Sequence, residues 1–183
     1  MLDPLGVEVV GLDRCPGIAE VEESGTTFAE NAVLKATQYA ALTGLPAIAD
    51  DSGLEVRALG GRPGVLSARY GGDDLPFEGK IKMLLGEIEE RGASDRSARF
   101  VCAMTFARPD GAVVAAVEGI CDGSIARESR GSGGFGYDPV FVPAGFEETF
   151  GELPDRIKAQ VSHRSRAFSQ IMPFLARFFG LLT

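Results

Sequence analysis

Apolar and polar positions change period along this chain, and each change marks an element. Residues 7–10, Val-Glu-Val-Val, predict a short strand close to the start. From residue 28 to 43 the apolar positions follow helical spacing, with Val33, Ala36 and Ala40 on one face. Thr27 and Glu30 stand at capping-box spacing ahead of that helix, and Gly44 closes it. A short apolar segment, residues 46–49, runs into Asp50, Asp51, Ser52 and Gly53 as if into a turn at a strand end. A second helix is predicted from Pro76 to about Gly92, with Ile81, Leu84, Leu85 and Ile88 facing inward. Residues 100–106 and 112–120 read as a hairpin turned by Pro109-Asp110-Gly111, with Val113, Val114 and Val117 suited to a sheet core. A further strand over residues 140–142 precedes a final helix capped by Ser162. Its apolar face is Phe168, Ile171, Leu175 and Phe178, and Pro173 is expected to bend or interrupt it.

Composition adds limits to this pattern. The chain has 183 residues, 45% hydrophobic and 24% charged, which suits one folded domain over residues 1–183 with a sizeable core. Its net charge of -8 argues against a nucleic-acid surface, although local cations can still receive a phosphorylated small molecule. Cys15, Cys102 and Cys121 lie far apart without metal-ligand spacing, which points to reduced thiols and a cytoplasmic setting. No apolar run reaches the roughly 18 residues that a membrane span requires, and the opening residues lack the pattern of a signal peptide.

Three clusters carry candidate chemistry. Asp50 and Asp51 beside an apolar strand must either be solvated in an ordinary turn or face a cation, because an unpaired buried carboxylate is costly. Mg²⁺ is one cation that bridges carboxylates to phosphates. Glu22, Glu23 and Glu30 near a helix start are explained by capping and solvation, with metal ligation the competing account; Asn31 and Lys35 either face solvent or reach a site. The loop Gly133-Gly134-Phe135-Gly136-Tyr137-Asp138 can shape a phosphate nest, present an aromatic to a flat base, or simply pack. Lys158, His163 and Arg164 gather cationic and hydrogen-bonding groups at the last helix.

Together, TTFAENAVLKA (residues 26–36), ADDSGLEV (49–56), LGGRPGVLSARY (59–70), GGFGYDPVF (133–141) and the spaced Lys158 and Ser162-His163-Arg164 resemble the Ham1/RdgB-like inosine triphosphate pyrophosphatases. The resemblance implies an α/β fold: an elongated central mixed β-sheet flanked by helices, with two lobes and an intervening active-site cleft, in a homodimer. It also implies Mg²⁺-dependent hydrolysis of ITP, dITP or XTP to the monophosphate and pyrophosphate, which removes deaminated purines from the nucleotide pool. Under it, Asp51 is the catalytic carboxylate and a metal-site residue, Ser52 lies beside the substrate, and Glu23 is an additional metal-site acid. Phe135 stacks on the purine while Gly136, Tyr137 and Asp138 shape its pocket. Lys158 binds substrate, and His163 and Arg164 read the oxygen at the six position of the base.

The beginning of the chain departs from that pattern. Family members open with a strand and a (Ser/Thr)-x-Asn-x-x-Lys phosphate loop ahead of the segment corresponding to residues 5–10, and no such loop stands here. The expectation is a sequence that starts too late, with an exposed sheet edge and fewer triphosphate contacts. Two other functions stay open: a Maf-like nucleotide pyrophosphatase of different base preference, and a nucleotide-binding protein weakened in catalysis.

Overall fold

Thr27 ends an extended entry and starts a helix. Its side-chain oxygen accepts from the Glu30 N–H at 3.1 Å, and the Glu30 carboxylate accepts from the Thr27 N–H at 3.1 Å, so the capping box closes in both directions. This cap opens α1 (Phe28–Thr43) in the computed structural model, which describes residues 6–181. Gly44 ends the helix in the left-handed region at φ 70°. Buried Phe28, Ala32, Ala36 and Ala40 form the inward stripe with Asn31, while Val33 is only half-buried.

The strand after α1 is longer than its apolar letters suggest. β1 (Ala47–Val56) runs straight through Asp50-Asp51-Ser52-Gly53. The expected turn is absent because alternation keeps the ladder going: Asp51 and Gly53 face inward, and Asp50 and Ser52 fall on the half-buried side. The Leu54 N–H is taken by Ser67 Oγ at 2.8 Å, which ties the strand to the loop beyond it.

α2 (Phe77–Glu90) follows Pro76 and buries Ile81, Leu84 and Ile88 as expected. β2 (Ser97–Ala107) and β3 (Val113–Ile125) form the predicted hairpin, closed by Arg108 N–H donating to the Ala112 carbonyl at 2.9 Å. The inward face of β3 is Ala115, Gly119, Cys121 and Ile125. Val113 and Val117 share that face by alternation, yet the first is exposed and the second half-buried, while Val114 lies half-buried on the opposite face; packing against the strand, and not its period, decides which positions are covered. After a single 3-10 turn at Asp138–Val140, β4 (Phe141–Pro143) pairs with β3, placing Ile125 opposite Phe141.

The strand order is β1-β2-β3-β4. β3 and β4 are antiparallel. Glu55 near the end of β1 accepts from Arg99 near the start of β2, so that pair is antiparallel too. The helix-flanked α/β sheet is therefore as expected, and the parallel pairing that would make it mixed does not occur among these four strands. Residues 7–10 join no ladder; Val7, Val9 and Val10 instead line an apolar cavity of about 560 Å³ with Ala47, Ile48 and Phe106. Leu5 lies outside the described residues.

α3 (Asp155–Val161) stops at Ser162, whose backbone is extended at ψ 153°, and α4 (His163–Phe178) restarts at once. Ser162 Oγ accepts from the Ser165 N–H at 3.3 Å, the cap its sequence predicts. α4 continues through Pro173, which stands on the exposed side, and buries Ala167, Ile171 and Leu175. Phe168 is half-buried and Phe178 exposed.

The chain divides into two compact units, each assembled from separated stretches of sequence. One comprises residues 1–51, 103–118 and 167–183; its small-residue contact of Ala36 and Ala40 with Ala47, Ala49 and Ala107 lets helix and sheet approach closely. The other, residues 52–102 and 119–166, has a larger core of Leu54, Val56, Leu84, Ile88, Phe100 and Phe141.

In this second unit the Tyr70 hydroxyl donates to Glu87 Oε1, and Arg62 pairs with Glu87 Oε2 at 2.6 Å. The Tyr70 hydrogen bond, reinforced by Arg62 against the opposing effect of burial, holds the Glu87 carboxyl below its ordinary value of 4.5. A depressed carboxylate contributes stability above its unfolded pKa and loses it as pH falls through the folded value. Tyr70→Phe is expected to cost about 1–2 kcal/mol in urea unfolding at neutral pH. The stability gap between the natural chain and Glu87→Gln should close as pH falls below 4.5.

Candidate functional site

A carboxylate on the inward face of a strand needs partners, since burial without them costs several kcal/mol. Asp51 is 9% exposed, and α1 provides both of its partners from positions four apart on one helical face. Asn31 Nδ2 donates to Asp51 Oδ2 at 3.1 Å, and Lys35 Nζ lies 3.2 Å from Asp51 Oδ1. The Asn31 amide is itself held by the Gly25 N–H, which donates to Asn31 Oδ1 at 2.8 Å. The same Lys35 nitrogen reaches Glu23 Oε1 at 2.7 Å. Burial disfavours the Lys35 charge, but the Glu23 hydrogen bond and the Asp51 and Glu23 charges outweigh it, so its pKa stands above the ordinary lysine value.

The three acids before and within α1 thus have separate fates. Glu30 is spent on the cap, and its carboxyl is lowered first by Thr26 and then by Thr27. Glu22 is exposed. Glu23 is neither cap nor simple surface charge: a half-buried ion pair joins it to the lysine that also holds Asp51. Capping and solvation therefore account for two of the acids and not the third.

Two carboxylates converging on one point charge suit a hard divalent cation, which commonly uses one or two protein carboxylates and takes its remaining oxygens from water and phosphate. Among the described residues no group of three or more His, Cys, Asp and Glu forms a cage. Substrate oxygens and water would complete the shell of an ion held by Asp51 and Glu23.

The second unit holds a pocket of about 150 Å³. It is lined by Ser52, the Phe135-Gly136-Tyr137-Asp138 loop, His163 and Arg164, all anticipated from sequence, and also by Ser67, Phe77 and Phe100. Asp138, 2% exposed, organises the loop: its Oδ2 accepts from the Phe135 N–H at 2.7 Å and from Lys158 Nζ. Gly134 stands at φ +72°, where a Cβ would collide with that carboxylate, so only glycine fits. Tyr137 is buried, its hydroxyl donating to the Ser67 carbonyl at 3.0 Å, and burial drives its pKa upward.

These restraints leave the Phe135 ring 64% exposed. Lys158 Nζ lies 4.7 Å from its centroid and the Arg164 guanidinium 5.8 Å. His163 is nearly buried and stacks on Phe100, with centroids 4.8 Å apart and planes 15° from parallel. The break at Ser162 puts His163 and Arg164 in the first turn of α4, so both belong to the same pocket. A largely exposed aromatic ring with two cations over it, in a pocket that an imidazole also lines, can receive a flat, polar-edged ring.

Sequence patterning missed five wall residues, Gly53, Ser67, Ala68, Phe77 and Phe100. Ser67 lies within the matched motif at residues 59–70 but bears no local mark of a pocket, and Phe100 reads as sheet core. Phe77 had one available sign, an aromatic directly after the proline at a helix start.

Comparison with known proteins places this geometry in context. A model of the Ham1 family matches residues 1–174. The dITP/XTP pyrophosphatase of Desulforamulus reducens is 45% identical over 179 residues, covering 98% of this chain and 89% of that protein. The dITP/XTP pyrophosphatase of Geobacillus kaustophilus is 50% identical over 166 residues, 91% of this chain and 81% of its own length. Among solved structures, the Staphylococcus aureus Ham1 protein superposes with a TM-score of 0.86 at 39% identity, over 93% of this chain and 88% of that one. A Coxiella burnetii HAM1 protein gives 0.83 at 41% identity, over 87% and 82%.

A raised lysine pKa stabilises the fold fully below the unfolded value and loses that contribution as pH rises through the folded one. Lys35→Gln should therefore unfold at lower temperature than the natural chain at pH 8. The gap should shrink only above pH 10.5, as thermal melts across alkaline pH would show.

Proposed function

The chain belongs to the Ham1 family, and from that premise we propose that it hydrolyses deaminated purine nucleoside triphosphates, ITP, dITP and XTP, to the monophosphate and pyrophosphate. The observation that carries this reading is the pocket of about 150 Å³ walled by an open Phe135 face, with His163 and Arg164 beside it. That volume is well below the roughly 300 Å³ at which small-molecule pockets begin, so it suits a base and not a whole nucleotide.

The base lies on Phe135, and donors from His163 and Arg164 meet the oxygen at its six position. An adenine amino group there leaves a buried donor unpaired, which is a strong basis for rejection. Lys158, fixed by Asp138, and Ser52 bind substrate; Ser52 follows Asp51 directly along β1.

Asp51 and Glu23 would hold Mg²⁺, which when bound would neutralise triphosphate charge and polarise phosphorus. Asp51, with one oxygen fixed by Asn31 and the other by Lys35, orients a water and takes its proton as the water oxygen bonds to the α-phosphorus. The bond from the α-phosphorus to the bridging oxygen breaks, and pyrophosphate leaves with that electron pair.

A homodimer in the cytoplasm belongs to the same reading. The dimer rests on the family resemblance alone, and the cytoplasmic setting on three cysteines free of disulfides, as in a reducing compartment. No helix among the described residues is long and apolar enough to cross a membrane.

The test is pyrophosphate release from ITP, dITP, XTP, ATP, dTTP and UTP with Mg²⁺. Turnover of the first three should exceed the rest; preference for dTTP or UTP would move the chain to a Maf-like activity, and no turnover of any would end the enzymatic reading. Asp51→Asn should lower kcat by about a hundredfold or more with the fold retained. Phe135→Ala should raise KM for ITP by about tenfold, the value of one lost base stack.

A further inference from the structure

Phe77 is the first residue of α2, directly after the Pro76 cap, and its side chain is 40% exposed. Nothing in helix formation asks for an aromatic there, since the first turn favours proline and acids. The ring is nonetheless held on three sides. It packs against the Tyr137 ring in a T-shaped pair, with centroids 5.5 Å apart and planes at 89°. Gly136 is a neighbour on the second side, where a Cβ would stand 3.6 Å from the Phe77 ring, an ordinary contact distance. One turn along the helix, Lys80 is almost fully buried, donates to the Gly72 carbonyl at 2.6 Å, and places its ammonium 5.8 Å from the Phe77 centroid. That bond ties the start of α2 to the loop before it, so the ring is fixed while part of it stays open to the pocket it lines.

Packing on Tyr137 alone leaves two observations without a reason. The ring is only partly covered, and it borders the same small pocket as Phe135. We propose that Phe77 is a second aromatic wall of the base site: it contacts the bound base directly and favours a purine over the smaller pyrimidine. The inference rests on the nucleotide pyrophosphatase reading and deepens it. A fixed apolar wall adds contact area in proportion to the ring it meets, so a bicyclic base gains more than a monocyclic one. It adds nothing for the phosphates, which gives the role a signature that a purely structural residue lacks.

The experiment compares the natural chain with Phe77→Ala, Phe77→Leu and Phe77→Trp, using IMP and inorganic triphosphate as calorimetric probes and ITP and UTP as substrates. In Phe77→Ala, IMP should bind about three- to tenfold more weakly, the range for one lost aromatic contact. Inorganic triphosphate should bind within about twofold of the natural chain, and the ITP-to-UTP ratio of kcat/KM should fall through KM more than through kcat. Phe77→Leu should lie between the two, and Phe77→Trp should retain or improve IMP affinity. If IMP affinity and the substrate ratio do not move in Phe77→Ala or Phe77→Leu, or if both probes weaken together, the proposal is overturned. A natural chain that binds IMP and turns over ITP while the variants behave like it removes only the role of Phe77. A natural chain that does neither removes the underlying reading with it.

Discussion

The cost of burying Asp51 shapes the first unit. A carboxylate 9% exposed inside a strand persists because one helical face carries an amide and an ammonium at the correct spacing to satisfy both of its oxygens. That requirement fixes α1 against β1, and it explains why the contact between them is built from alanines: larger side chains would hold Asn31 and Lys35 out of reach. It also fixes Glu23, which shares the lysine. The outcome is a pair of negative charges restrained by a single positive one.

The second unit follows a similar logic with another buried acid. Asp138 accepts from a backbone N–H and from Lys158, and these contacts set the loop so that Phe135 projects while Tyr137 turns inward to Ser67. Each buried carboxylate thus supports its neighbours through short contacts and not through a general field, which is why a chain with a net charge of -8 can still present cations beside an aromatic ring.

Much of this was legible in the letters because local rules governed it. The Thr27–Glu30 box, the Gly44 terminus and the Ser162 cap each depend on residues a few positions apart, and the structure shows all three. The second helix and the hairpin followed from periodicity. Where tertiary packing competed with local signals, the reading failed. Asp-Asp-Ser-Gly has the composition of a turn, yet Asn31, Lys35 and Ser67, distant in sequence, satisfy it as a strand. Val113 and Val117 have strong strand propensity and share a face with Ala115 and Cys121, yet the first is exposed and the second half-buried, because propensity makes a strand without saying which of its positions tertiary packing covers. Lys80 carries no sequence mark of burial, because its acceptor is a backbone carbonyl that any residue provides.

The unbroken run of β1 through its acidic pair constrains how this segment can change over evolutionary time. Successive side chains point to opposite faces, so losing or gaining one residue ahead of position 51 would send the aspartate away from its amide and ammonium and present its neighbour to them instead. Length variation in such a strand is tolerated in steps of two or not at all, and lineages descending from this chain should place their insertions in the connecting loops.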